Sequence, residues 1–147
     1  MVLPIPQRRV FLDSSVLYAA VFSATGPARR LLLKGLAGSI TLCLSDFVLA
    51  ETKQNLTINA PLTLPYFTVL ADFLSPQATN PTKADVLKAA KIVHLKGAAI
   101  VAAAAKAKAD YLATHDVKHL ITHAPAIEQA YGVIVLTPAD LLRVLTN

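Results

Sequence analysis

The sequence predicts an α/β fold of three layers, with a central parallel sheet between helices. Two observations carry that reading. Short apolar runs alternate along the chain with longer segments that open on helix-start residues, which is the order of a parallel sheet with crossover helices on both faces. Two of those runs also lead into an aspartate, Val10-Phe11-Leu12-Asp13 and Tyr111-Leu112-Ala113-Thr114-His115-Asp116. Carboxylates are costly to bring to the edge of a core. Acids at the carboxyl ends of parallel strands therefore point to the crevice where open α/β sheets hold their ligands.

Taken in order, Arg9 to Leu12 reads as a short buried strand, and Pro27 suits the first position of a helix through Ala28-Arg29-Arg30-Leu31-Leu32-Leu33-Lys34 to Gly35 or Gly38. Ile40 to Leu44 is the second strand. Ser45 caps a helix from Asp46 to about Leu56, whose acidic first turn suits the helix dipole. Pro61 and Pro65 separate it from a helix around Tyr66 to Leu74. Ser75-Pro76 and Asn80-Pro81 bracket a loop, after which Thr82 caps a helix through about Val93. Gly97 then precedes an alanine-rich helix, Ala98 to Lys108. Tyr111 to Thr114 is the third strand, His115 to Ile121 a turn with a short helix, and Val133 to Leu136 the fourth strand. Thr137-Pro138 opens a last helix to about Leu145.

At 147 residues the chain fits one domain, 1–147, long enough to bury about 68–70% of its unfolded surface. A mean hydropathy of +0.52 is high and predicts apolar surface covered by another chain, so a homodimer is expected. The longest uncharged stretch, Gln54 to Ala71, is broken by Pro61 and Pro65 and makes a poor membrane span. Met1 to Arg9 contains Pro4 and Pro6 and lacks the apolar core of a signal peptide, so a cytoplasmic protein with no membrane partner is expected. The single Cys43 lies in the apolar run Ile40-Thr41-Leu42-Cys43-Leu44, which excludes an intramolecular disulfide and reads as a buried, unreactive thiol.

Net charge is +5, with pI about 9.5, and favours a polyanionic partner, although charge alone does not specify a ligand. Much of the positive charge lies between Lys83 and Lys118, with Arg29 and Arg30 as a second cluster, although solvated helix faces would look the same. There is no GxGxxG, no P-loop, no GxSxG and no cysteine pair with zinc spacing, which removes the common nucleotide-binding, hydrolase and zinc readings. His115, His119 and His123 recur every four residues, one face of a helix, but Pro125 and the turn before it keep that helix short. They and His94 read as solvated or partly buried side chains rather than ligands.

The acids carry more. Asp13, followed by Ser14 and Ser15, has a purely structural alternative as a helix cap. Asp116 alone would be an ordinary turn residue and Glu51 an ordinary exposed helix acid. Together they mark one crevice, because both aspartates follow strands and Glu51 lies a turn and a half into the helix opened by Ser45. A divalent metal is the natural partner of such a set.

The runs Val10-Phe11-Leu12-Asp13-Ser14-Ser15-Val16-Leu17, Leu44-Ser45-Asp46-Phe47-Val48-Leu49-Ala50-Glu51, Ala109-Asp110-Tyr111-Leu112-Ala113-Thr114-His115-Asp116 and Val135-Leu136-Thr137-Pro138 resemble the PIN domain. They are most similar to its VapC-like branch, the toxin components of bacterial toxin–antitoxin systems. The resemblance runs from Arg9 to Val144. It implies an endoribonuclease dependent on Mg2+ or Mn2+, with a cognate antitoxin protein as partner and products with 5′-phosphate and 3′-hydroxyl ends. It also implies that Asp13, Glu51 and Asp116 are the catalytic, metal-holding acids, with Ser14 and Thr114 as small polar residues beside the cofactor. Magnesium takes a few carboxylates and completes its octahedron with water, so the ligand style agrees.

The chain departs from that pattern at Gly97, where the family usually has an aspartate just ahead of the alanine-rich helix. Glycine is an acceptable cap, so the fold is expected to survive and the site to be weakened. Asp110 and His94 are the conceivable substitutes, although Asp110 begins its strand and belongs at the far edge of the sheet. The sequence thus leaves a ribonuclease with a weakened site, a catalytically inactive RNA- or antitoxin-binding module of the same fold, and a small-molecule α/β enzyme for which no cofactor motif exists.

Overall fold

The computed structural model describes residues 7–146, so Pro4 and Pro6 of the leader reading lie outside the described residues. Strands β1 (Arg9–Leu12), β2 (Thr41–Cys43), β3 (Tyr111–Ala113) and β4 (Ile134–Leu136) form one all-parallel sheet in the order β2-β1-β3-β4. Phe11 sits opposite Cys43 on one side and Leu112 on the other. The chain leaves β1 toward one edge to make β2, then returns past it to make β3 and β4. Right-handed crossovers in both directions put helices on both faces, giving three layers α/β/α. The crevice of such a sheet opens where the direction reverses, at the carboxyl ends of β1 and β3.

Eight helices flank the sheet among the described residues: α1 (Ser14–Phe22), α2 (Pro27–Leu36), α3 (Asp46–Asn59), α4 (Leu64–Leu74), α5 (Lys83–Ala89), α6 (Leu95–Lys106), α7 (Ala124–Tyr131) and α8 (Pro138–Leu145). The central strands read as continuous apolar runs because both faces are covered, and Val10, Phe11, Leu12, Leu112 and Ala113 are all buried. Each buried leucine there stabilises the fold by about 1.5–3 kcal/mol. The capping residues act as the sequence predicts. Ser45 Oγ accepts from Val48 N at 3.3 Å, Thr137 Oγ1 accepts from Asp140 N at 3.2 Å, and Thr82 and Asp85 form a reciprocal capping box.

Four local expectations are corrected. α1 was not foreseen, because its buried face (Ser14, Val16, Leu17, Ala20, Val21) is backed by an outer face that carries Tyr18, Ala19 and the exposed Phe22, so apolar residues show no 3.6-residue period. α7 was not foreseen either, since Pro125 begins a helix there rather than ending one. His115, His119 and His123 do not share a helix face; they lie on a turn and the short 3-10 segment Ile121–His123. Gly97 is not a helix cap. His94 caps α6, with its Nδ1 accepting from Lys96 N at 3.1 Å, and Gly97 is the third residue inside the helix and buried.

No helix among the described residues is long and apolar enough to cross a membrane.

Candidate active site

Asp13 leaves β1 with its N–H still bonded to the Ala113 carbonyl (3.1 Å), which extends the ladder by one residue and sets the side chain at the sheet's carboxyl edge. It then caps α1, with Oδ1 accepting from Ser14 N at 2.7 Å. Oδ2 accepts from Ser15 Oγ at 3.0 Å and from Thr114 Oγ1 at 2.7 Å. Asp13 is only 6% exposed and Thr114 is fully buried, so the carboxylate has three protein donors in place of most of its water.

Thr114 links two acids. Its hydroxyl donates to Asp13 and accepts from Asp116 N at 2.9 Å, while its own N–H is held by the Leu136 carbonyl at 3.0 Å. Asp116 opens the following turn: Oδ1 accepts from His119 N at 2.9 Å, and Oδ2 lies 3.2 Å from His119 Nδ1. On the other side of Asp13, the Ser14 hydroxyl lies between Asp13 Oδ1 (3.4 Å) and Glu51 Oε1, to which it donates. Glu51 reaches it from α3, a turn and a half beyond the Ser45 cap.

The three acids so joined line one open cleft of about 630 Å³. Asp13, Glu51 and Asp116 thus meet as their positions in the sequence predict. Ser14 is part of the same wall, whereas Thr114 stands behind it and orients the aspartates. Among the described residues no three His, Cys, Asp or Glu groups form a ready ligand cluster. The Ser14 hydroxyl lies between Glu51 and Asp13, whereas Asp116 is tied to Thr114 through its backbone N–H and its carboxylate is held by His119. The hydroxyls of Ser14 and Thr114 can rotate to free carboxylate oxygens.

The rest of the lining is basic and apolar. Lys96, His115, His119, Ile100 and Leu120 all line the cleft. His119 also packs its ring on His94, with centroids 5.0 Å apart, so His94 is a cap and a packing partner rather than a stand-in acid. The signal for His119 was the three-residue spacing Asp116-x-x-His119, which a turn closes into a side-chain contact. Asp110 lies at the opposite end of the sheet, where Oδ2 accepts from Arg9 N at 2.8 Å, and so cannot replace a missing carboxylate.

Gly97 is where α6 meets the Asp116–Leu120 turn. A Cβ there would stand 3.0 Å from the His119 carbonyl oxygen and 3.0 Å from Leu120 Cδ2. The glycine is a packing residue: any side chain there requires the His119 carbonyl or Leu120 to give by a few tenths of an ångström. Neither a family model nor a curated protein matches the chain.

Proposed function

We propose that this chain is a metal-dependent endoribonuclease of the toxin–antitoxin type, built on a PIN-like domain, with Asp13, Glu51 and Asp116 as its metal-holding acids. The observation that carries the proposal is the hydrogen-bonded chain Glu51–Ser14–Asp13–Thr114–Asp116 along one cleft at the carboxyl ends of β1 and β3. Bound Mg2+ or Mn2+ would supply an acidified water and offset charge on the phosphate oxygens. The chain's own part is positional. Thr114 and Ser15 hold Asp13 Oδ2 in place, Ser14 ties Glu51 to the same edge, and Lys96 in the lining of the same cleft offers a cation to a phosphodiester. With glycine at position 97 this enzyme has three acids and a slower reaction.

A cognate antitoxin and a second copy of the chain complete the proposal. Exposed apolar side chains along α3 and α4, including Ile58, Val69 and Phe73, support such an assembly. A cytoplasmic location belongs to the same proposal. The second reading, an inactive RNA- or antitoxin-binding module, is favoured by one observation, the lack of a fourth carboxylate at Gly97, where even a Cβ would stand 3.0 Å from the His119 carbonyl oxygen.

Cleavage of single-stranded RNA with saturating manganese separates the two. Glu51→Gln and Asp13→Asn should lower the rate about a hundredfold or more, since a metal site supplies several kcal/mol of transition-state stabilisation. RNA binding without cleavage by the unaltered chain would establish the binding module instead.

A further inference from the structure

A second cleft, of about 490 Å³, opens beside the acidic one and shares Ser14 and Ser15 with it. Its walls follow from the topology. β1 and β2 are parallel neighbours, and each is followed by a helix that runs back along the sheet, so α1 and α3 pack side by side and point the same way. On α1, Ser14, Tyr18 and Phe22 are spaced i, i+4, i+8; on α3, Glu51, Asn55 and Asn59 have the same spacing. Each set forms one stripe along its helix. The stripes start together, because the Ser14 hydroxyl is bonded to Glu51 Oε1. One step on, about 6 Å down the helix axis, come Tyr18 and Asn55.

The chemistry changes along that step. The acidic cleft holds carboxylates and bases, whereas the second is lined by Ser14, Ser15, Tyr18, Asn55 and Asn59, with no charge among them. A phosphate finds no cation there. Tyr18 lies almost parallel to Phe22, at 11° with ring centroids 5.7 Å apart, which fixes the angle of its ring. Asn55 and Asn59 are exposed and offer amide donors and acceptors, and the Asn59 side chain is held by the Asn55 carbonyl at 3.1 Å. An aromatic plane beside uncharged amides is the pattern that stacks an unpaired base and reads its edge.

We infer that this cleft is a nucleobase subsite for the RNA strand whose phosphodiester lies at the acidic cleft, with Tyr18 as the stacking surface and Asn55 and Asn59 as the residues that select the base. The inference rests on the ribonuclease reading for its ligand class. A base must be unpaired to enter, so the substrate is single-stranded.

Anisotropy of a fluorescein-labelled single-stranded RNA of random sequence, measured in EDTA, isolates binding from cleavage. Tyr18→Ala should weaken binding about tenfold, as expected for one lost base–aromatic stack, and Tyr18→Phe should restore it. The double variant Asn55→Ala with Asn59→Ala changes exposed side chains only, and should flatten the base preference in the manganese cleavage pattern. Equal binding by Tyr18→Ala at unchanged Tm, an unaltered cleavage pattern in the asparagine variant, or tighter binding of an RNA duplex would each overturn the subsite. Tyr18-dependent binding with no cleavage by the unaltered chain would refute the ribonuclease reading and leave the subsite standing. Manganese-dependent cleavage with Tyr18-independent binding would do the reverse.

Discussion

Thr114 Oγ1 donates a 2.7 Å hydrogen bond to Asp13 Oδ2, joining residues 101 positions apart in the chain. The two lie at the carboxyl ends of adjacent parallel strands, in register through Leu12 and Ala113. Because the same hydroxyl accepts from Asp116 N, one side chain sets the position of two acids.

Thr114→Val is therefore expected to disturb both stability and the site. It keeps the shape of the side chain and removes a hydrogen bond to an ionised group, which costs about 1.5–3 kcal/mol. Urea denaturation measures that loss, and Thr114→Ser should recover most of it. On the proposed function, manganese affinity by calorimetry should also fall about 10–100-fold, the usual effect of losing a residue that orients a metal ligand. Native stability in the valine variant would show that the bond contributes nothing.

Gly97→Asp should destabilise the protein. Its Cβ would press on the His119 carbonyl, which is backbone in a turn held by His119 N to Asp116 Oδ1 (2.9 Å) and Leu120 N to Asp116 O (3.3 Å). Overpacking of this kind costs about 1–3 kcal/mol, or about 2–4 °C in Tm per kcal/mol for a chain of this size. Gly97→Ala separates the steric part from the charge, with about 1 kcal/mol returned by helix propensity. Calorimetric Tm values equal to that of the unaltered protein in both variants would mean that the turn yields freely.

Cys43 should resist alkylation in the native state. It lies on β2 and is 2% exposed, and burial pushes its thiol above the ordinary value of 9.0, with Arg9 opposing and Asp110 adding to the rise. Iodoacetamide at neutral pH should label the protein only after unfolding. Rapid labelling of the folded chain would show that β2 opens locally.

Asp85 should give the protein a measurable acid sensitivity. Hydrogen bonds from the Thr82 backbone and side chain hold its carboxyl below the ordinary value of 3.8, and Lys106 at 3.9 Å adds to them. Folded Asp85 thus binds a proton less readily than unfolded Asp85. The stability it contributes is present above pH 3.8 and is lost as pH falls from there through the folded value. Stability measured against pH should have a smaller acid slope in Asp85→Asn, and an identical slope would show that the capping box is not coupled to global unfolding.

Where a signal is local, the sequence alone determined the outcome. Ser45, Thr82 and Thr137 begin helices because their oxygens satisfy N–H groups a few residues away, and four short apolar runs became four parallel strands. The meeting of Asp13 with Asp116 was legible for a related reason, since parallel strands bring all their carboxyl ends to one edge. Only the tertiary structure decided the rest. α1 shows no period because its outer face, with Tyr18, Ala19 and Phe22, is as apolar as its buried one, His119 reaches Asp116 through a turn rather than a helix face, and at Gly97 the His119 carbonyl lies against the backbone. The paired stripes of α1 and α3 likewise exist only once β1 and β2 lie side by side. Hydrophobic period and capping chemistry act within a few residues of the chain, whereas close packing joins surfaces whose identity depends on which elements the folded chain makes neighbours.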